Sequence, residues 1–369
     1  TPLRTEAGLL PVEVTLNDQD YSSDEVLFEY QDAARVLEVS PSKGPSGGGG
    51  FVNVSGTGFS QRSFLLSYLF ARFNETRVPV VWVSSSEVHC VAPEHATGLV
   101  HVELTLNDQQ YTSDMVAFEY QDVVAHSIEP RNGPVLGGTL VVVRGANFHA
   151  PGSRGLFCKF VGADVVAASW EGEEAVRCAT PSVSSAGFVA VHLISNDAVY
   201  VTSVAFQYQE AVSVLSVEPR TGLLTGGTLL RVLGSGFVPS MTALVRVGSQ
   251  PVVVARVLSS VLLECTTPSR TEPGLLSVEV TLNDQDYSSD EVLFEYQAAA
   301  RVLEVSPAKG PSAGGGLVNV TGSGFAQRSF LLSYMFVMFN QTRVPLVWVS
   351  ASEVHCVAPR HATGVVSVE

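Results

Sequence analysis

The chain repeats itself with a period of about 89 residues, which restricts it to a tandem array of small domains. Glycine-rich segments begin at Gly44 (GPSGGGG), Gly133 (GPVLGG), Gly222 (GLLTGG) and Gly310 (GPSAGGG), at intervals of 89, 89 and 88 residues. Three further landmarks keep the same beat. Gly-x-x-Phe runs from Gly56 to Phe59, Gly145 to Phe148, Gly234 to Phe237 and Gly322 to Phe325. Cys-x-x-Pro begins at Cys90, Cys178, Cys265 and Cys356, and Phe-x-Tyr ends at Tyr30, Tyr120, Tyr208 and Tyr296. Landmarks in register define a domain, and 369 residues that are 46% hydrophobic supply several separate cores.

Within each unit, apolar and polar residues alternate over short runs such as VEVTLN and VLFEYQ, broken by Gly, Pro, Asn and Asp. Val, Thr, Tyr and Phe dominate these runs, and no sustained apolar stripe has helical spacing. The fold class is therefore all-β, with about seven strands per unit, as in an immunoglobulin-like sandwich. The expected divisions are the C-terminal part of a domain at 1–31, complete domains at 35–121, 126–209 and 213–297, and a domain lacking its last strand at 301–369. Linkers at Gln121 to His126 and Gln209 to Ser213 are short and free of Gly/Ser tracts, which predicts a semi-rigid rod. Residues 1–103 match residues 267–369 at roughly four positions in five, so the larger repeat is a block of three domains. Thr1 falls inside a repeat, and the polypeptide is expected to continue in further blocks.

VSPSKGPSGGGGFVNVSGTGF, then CVAP or CTTP, then FEYQ, resembles the IPT/TIG domain of plexins, certain transcription factors and large cell-surface proteins. The resemblance covers nearly the whole chain. It implies that the P-x-x-G-P-x-x-GG stretch is the turn joining the first two strands, where glycine accepts positive φ. A phosphate-cradling loop is the competing reading, but GPSGGGG lacks the Lys and following helix that such a loop requires. In the family pattern, cysteines equivalent to Cys158 and Cys178 bridge neighbouring strands, which implies a disulfide here. Closing a loop of that size contributes roughly 3 kcal/mol in the chain-entropy picture and places the chain in an oxidising compartment. Cys90, Cys265 and Cys356 occupy the place of Cys178, but Ala71, Val245 and Val337 stand where Cys158 would be. Those three read as buried free thiols, with an intermolecular bridge as the alternative.

Four sequons, at Asn53, Asn74, Asn319 and Asn340, form two pairs 266 residues apart and predict N-linked glycans. Asn53 and Asn319 lie in a strand and need a solvent-facing side chain. The motif LNDQDYSSDE at Leu16 and Leu282 gathers oxygen ligands, but its spacing fits no calcium loop and Asn-Asp suits a hairpin tip. Trp82, Trp170 and Trp348 each precede the domain cysteine by eight residues and read as core aromatics. His89 beside Cys90 is no nucleophilic pair, because adjacent strand residues point to opposite faces. No catalytic constellation recurs, and neither cofactor nor metal is expected.

The run Phe64-Leu65-Leu66-Ser67-Tyr68-Leu69-Phe70 returns as Phe330 to Phe336 and is absent from the second and third domains. It sits on a segment two residues longer than in the second domain. Phe64, Leu65, Leu66, Tyr68, Phe330, Leu331, Leu332 and Tyr334 are candidate assembly residues, and a core strand is the alternative. A formal charge of −15 opposes nucleic-acid binding, and with it a transcription-factor role. No apolar run approaches membrane-span length. The expected role is a non-catalytic, extracellular structural repeat that assembles into a filament or surface fibre, by analogy a flagellar hair. The alternative is an adhesion or ligand-binding receptor ectodomain. The expected partners are further copies or other extracellular proteins.

Overall fold

The computed structural model describes residues 7–149, 155–239, 241–249 and 251–369. The chain forms two compact units, one running to Tyr208 without Asn132–Pro134, the other comprising Gln209–Glu369 with that tripeptide. Strands dominate both. Among the described residues there are also two single-turn helices, α1 (Gln61–Leu65) and α2 (Gln327–Leu331), which apolar periodicity did not predict.

The first unit opens with β1 (Gly8–Pro11) and β2 (Leu27–Tyr30), an antiparallel pair. A complete sandwich follows from β3 (Arg35–Ser40), β4 (Lys43–Pro45), β5 (Phe51–Thr57), β6 (Phe70–Phe73), β7 (Thr76–Ser84), β8 (Glu87–Val91), β9 (Gly98–Thr105) and β10 (Val116–Gln121). Their order is β3-β5-β8-β7-β6-β9-β10-β4. One end of β7 pairs with β6 and the other with β8, so a single strand crosses from one sheet to the other. Alternate residues point inward: Val52 and Val54, Val78 and Val80, Val88 and Cys90, Val102 and Leu104, Phe118 and Tyr120 are buried together.

The Gly-x-x-Phe landmark follows from that packing. A Cβ on Gly56 would stand 2.0 Å from the Arg35 carbonyl oxygen and 2.5 Å from the buried Phe59 ring. The same collision exists at Gly145, Gly234 and Gly322. In the glycine-rich turn it is Gly48 and Gly49, at φ 67° and 77°, that require glycine's backbone freedom.

Residues 124–208 repeat this plan, with strands Leu156–Phe160 and Ala175–Ala179 carrying Cys158 and Cys178. In the second unit, residues 213–297 form an eight-stranded sandwich of the same order and residues 301–369 a five-stranded one. Burial belongs to the completed sandwich, not to the local sequence. Leu282, covered by its facing sheet, is 6% exposed, whereas Leu16 in the identical motif beside the β1–β2 pair is 100% exposed.

Candidate functional site

Two kinds of side-chain joint connect consecutive domains within the units. In the first unit the glycine-rich turn of residues 35–121 meets the hairpin around Ala198–Tyr200. Gly47 N–H donates to the Tyr200 hydroxyl at 3.1 Å, and burial raises the Tyr200 pKa above its ordinary value. Gly47 does not have positive φ. It is glycine because a Cβ there would lie 2.3 Å from Ala198 Cβ and 2.7 Å from the Tyr200 hydroxyl. The turn-forming reason offered by the sequence therefore accounts for Gly48 and Gly49 but not for Gly47. Ser46 Oγ donates to Asp122 at 2.7 Å, and Asn147 Nδ2 donates to the Asp122 carbonyl at 2.9 Å. Lys43 Nζ pairs with Glu173 at 2.8 Å and holds its carboxyl below the ordinary range. His149 is half-buried beside this pair, and desolvation, then Lys43, lowers its pKa. Lys43, Ser46, Gly47 and Asn147 fall within the repeated landmarks, but nothing in those landmarks marks them as joint residues.

The second kind of joint uses the apolar run. It is not a strand. Ser60 caps α1 by accepting from Ser63 N–H, and the chain then turns through Ser67 at φ 59° before entering β6. Phe64 packs against the core and Leu69 is buried, while Leu65 (72%), Leu66 and Tyr68 (51%) are exposed. The polar side of α1 grips the end of β2: Gln31 Nε2 donates to Ser60 and Ser63 hydroxyls at 2.9 and 3.1 Å, and Arg62 lies 3.3 Å from Glu29. The second unit repeats the arrangement 266 residues later, with Ser329 Oγ donating to Gln297 at 2.7 Å and Arg328 3.4 Å from Glu295. There the Tyr334 hydroxyl also accepts from Arg220 N–H at 3.4 Å, and Tyr334 is 38% exposed. Phe330 and Leu332 are half-buried, whereas Leu331 remains 71% exposed. The run thus builds a helical joint in each copy, in which Leu65, Leu66 and Tyr68 stay exposed in one and Leu331 and Tyr334 in the other.

Cys158 and Cys178 are joined in a disulfide, with their Cα atoms 6.5 Å apart. The two strands that carry them are not hydrogen-bonded to each other. Each pairs instead with Val165–Gly172, on opposite sheets, so the bridge crosses the core. Cys90, Cys265 and Cys356 are free and buried, and Ala71, Val245 and Val337 fill the core at the position of Cys158. Burial pushes the Cys90 and Cys265 thiols up to about 12.

Asn74 and Asn340 are exposed at the tips of two-residue hairpins, with φ 51° and 56°. Asn53 and Asn319 are half-buried on outer sheet faces, the Oδ1 of Asn53 being shielded without a hydrogen-bond partner. Trp82 and Trp348 pack against the edges of their cores, whereas Trp170 does not. Trp82, Trp170 and Trp348 are partly exposed, and their indole N–H groups donate to the carbonyls of Phe59, Phe148 and Phe325 at 3.0, 2.7 and 2.8 Å. They pin the Gly-x-x-Phe turn to the sheet edge. At the LNDQDYSSDE hairpin, Asn283 Oδ1 accepts from the backbone N–H of Gln285 and Asp286, an Asx turn. Among the described residues, no group of three or more His, Cys, Asp or Glu side chains could hold a metal ion.

Fibrocystin-L from Mus musculus is 27% identical over 336 residues, covering 89% of this chain and 8% of its own length. Plexin-2 from Caenorhabditis briggsae is 28% identical over 221 residues, covering 56% of this chain and 12% of its own length. The chain therefore spans about a tenth of these relatives. A solved plexin A4 full extracellular region matches the fold over 89% of the chain and 29% of its own, with TM-score 0.50 and 16% identity. The IPT/TIG domain profile matches residues 34–120, 124–208, 213–296 and 300–369, and the chain belongs to the IPT/TIG family.

Proposed function

We propose that the chain is a non-catalytic segment of an extracellular protein, in which tandem sandwiches joined by side-chain contacts present their outer faces to protein partners. The carrying observation is the construction of the joints. A tether needs no buried hydroxyl and no glycine chosen for clearance, yet Gly47, Tyr200, Ser63 and Gln31 supply both. The resemblance to fibrocystin-L and to plexins supports an ectodomain that binds or adheres. The disulfide at Cys158 and Cys178, with N-linked glycans at Asn53, Asn74, Asn319 and Asn340, belongs to this reading.

Chemical mapping of protein from its natural source tests it. We expect Cys158 and Cys178 to resist thiol labelling under denaturing, non-reducing conditions, and Asn74 and Asn340 to carry sugar. Labelled Cys158 and Cys178 together with bare asparagines would overturn the extracellular assignment. A second reading, a subunit of an extracellular filament, is favoured by the near-equal exposure of Leu65 and Leu331, which offers the same contact once per three-domain block.

A further inference from the structure

One row of residues across the outer face of the β3-β5-β8-β7 sheet differs in kind between domains. In residues 213–297 the row reads Glu218, Arg231, Glu264, Arg256, with charges alternating strand by strand and Arg231 Nε 2.9 Å from Glu264. In residues 124–208 the row is Glu129, Val142, Arg177, Ser169, which keeps two charges. In residues 35–121 it becomes Ser40, Asn53, His89, Val81, and in residues 301–369 Ser306, Asn319, His355, Val347. No carboxylate, Lys or Arg remains in these last two rows. Around them Leu37, Phe51, Val83 and Val91 are exposed, as are Leu303, Leu317, Val349 and Val357. Glu87 and Glu353 stand on the same faces, 2.9 and 2.8 Å from His89 and His355. Each face has a sequon at its centre, on a strand paired on both sides, and the Asn53 amide oxygen bonds nothing there.

We propose that an N-linked oligosaccharide on Asn53, and another on Asn319, solvates this face in place of the charged ladder. The inference rests on the extracellular reading above. The Asn53 Nδ2 forms a bond to C1 of the terminal N-acetylglucosamine of a polyprenyl-diphosphate-linked oligosaccharide. The C1–O bond breaks, the polyprenyl diphosphate departs, and the amide loses one proton. Asn53 lies two residues from Phe51 along the strand, so their side chains project from the same face, and the apolar face of the first sugar ring has an exposed aromatic ring to cover.

The test is secretion of the full chain from a eukaryotic host, with glycopeptide mass spectrometry and binding of a hydrophobic dye. We expect sugar on Asn53 and Asn319 as well as on Asn74 and Asn340. The double variant Asn53→Gln/Asn319→Gln should bind the dye severalfold more than Asn74→Gln/Asn340→Gln. A third variant, Asn53→Arg with His89→Glu and Asn319→Arg with His355→Glu, introduces the central Arg–Glu pair of the 213–297 row and should return dye binding toward the level of the glycosylated chain. Bare Asn53 and Asn319 beside glycosylated Asn74 and Asn340 would overturn the inference and leave the extracellular reading standing. All four bare in protein from its natural source, together with labelled Cys158 and Cys178, would overturn both. Occupied sites whose removal leaves dye binding unchanged would also sink the shielding role.

Discussion

Tyr120, Tyr208 and Tyr296 end the same Phe-x-Tyr landmark, yet their hydroxyls meet different surroundings. Tyr208 donates to the Pro181 carbonyl at 2.8 Å and Tyr296 to the Pro268 carbonyl at 2.9 Å, while the Tyr120 hydroxyl is buried without a partner. The difference reaches back to one neighbour: Thr180 and Thr267 each lend a hydroxyl to the backbone N–H of Thr139 and Thr228, and Ala92 stands in their place in the first domain. Tyr208→Phe should therefore cost its domain about 1 kcal/mol, and Tyr120→Phe should be neutral or stabilising, because it removes an unsatisfied buried group. Local amide exchange within each domain reads the two effects separately. Equal losses at both positions would contradict the assignment. The thiols give a second expectation. Ionisation of Cys90 and Cys265 is held off to about 12 by burial, against 9.0 for the free thiol. The folded state therefore keeps its proton where the unfolded chain loses it, so their contribution is intact below pH 9 and declines as pH rises toward 12. Native-state alkylation at pH 8 should be slow at both cysteines and become rapid in denaturant.

At the scale of elements, the repeat and the period-2 alternation already specified strands, because the inward valines of β5 and β8 and the Gly56–Phe59 landmark depend only on local spacing. The joints were not legible in that way. Gly47 and the Tyr200 hydroxyl lie 153 residues apart in sequence, and a glycine among glycines gives no sign that its role is clearance. The helix α1 was hidden for another reason: five residues are too few to show helical periodicity, and Phe64 to Phe70 has the composition of a strand. Only the two-residue excess in length marked it as different. Ala326 replaces the capping Ser60 in the second copy, and α2 forms without a side-chain cap, so docking rather than capping carries this element. The clearance argument predicts that Gly47→Ala will push the Ala198–Tyr200 hairpin off its seat, raising amide exchange there while leaving the two cores unchanged. Gly50→Ala is the control, since its Cβ would meet only Pro45 Cδ at 3.9 Å. Unchanged exchange at Ala198–Tyr200 in Gly47→Ala would show that the contact adapts at no cost.

For the whole molecule, a charge of −15 and two oppositely placed demands on the surface separate the filament reading from the ectodomain reading. Like charge opposes self-association over a range set by salt, so any lateral contact must come from apolar groups and should strengthen as ionic strength rises. Leu65 and Leu331 are the two members of the repeated apolar run with the greatest exposure, and they recur once per block in the same setting on α1 and α2. Burying one such leucine is worth about 1.5–3 kcal/mol, too little to hold two molecules together but additive along an array of blocks. Because both side chains are already exposed, Leu65→Ser with Leu331→Ser should change folding stability by no more than about 0.5 kcal/mol. A filament subunit should self-associate in sedimentation at high salt and lose that behaviour in the double variant. A monodisperse chain at every salt concentration, unaffected by the double variant, excludes these leucines as the lateral contact and leaves the ectodomain reading, with its binding surface on faces that glycans do not cover.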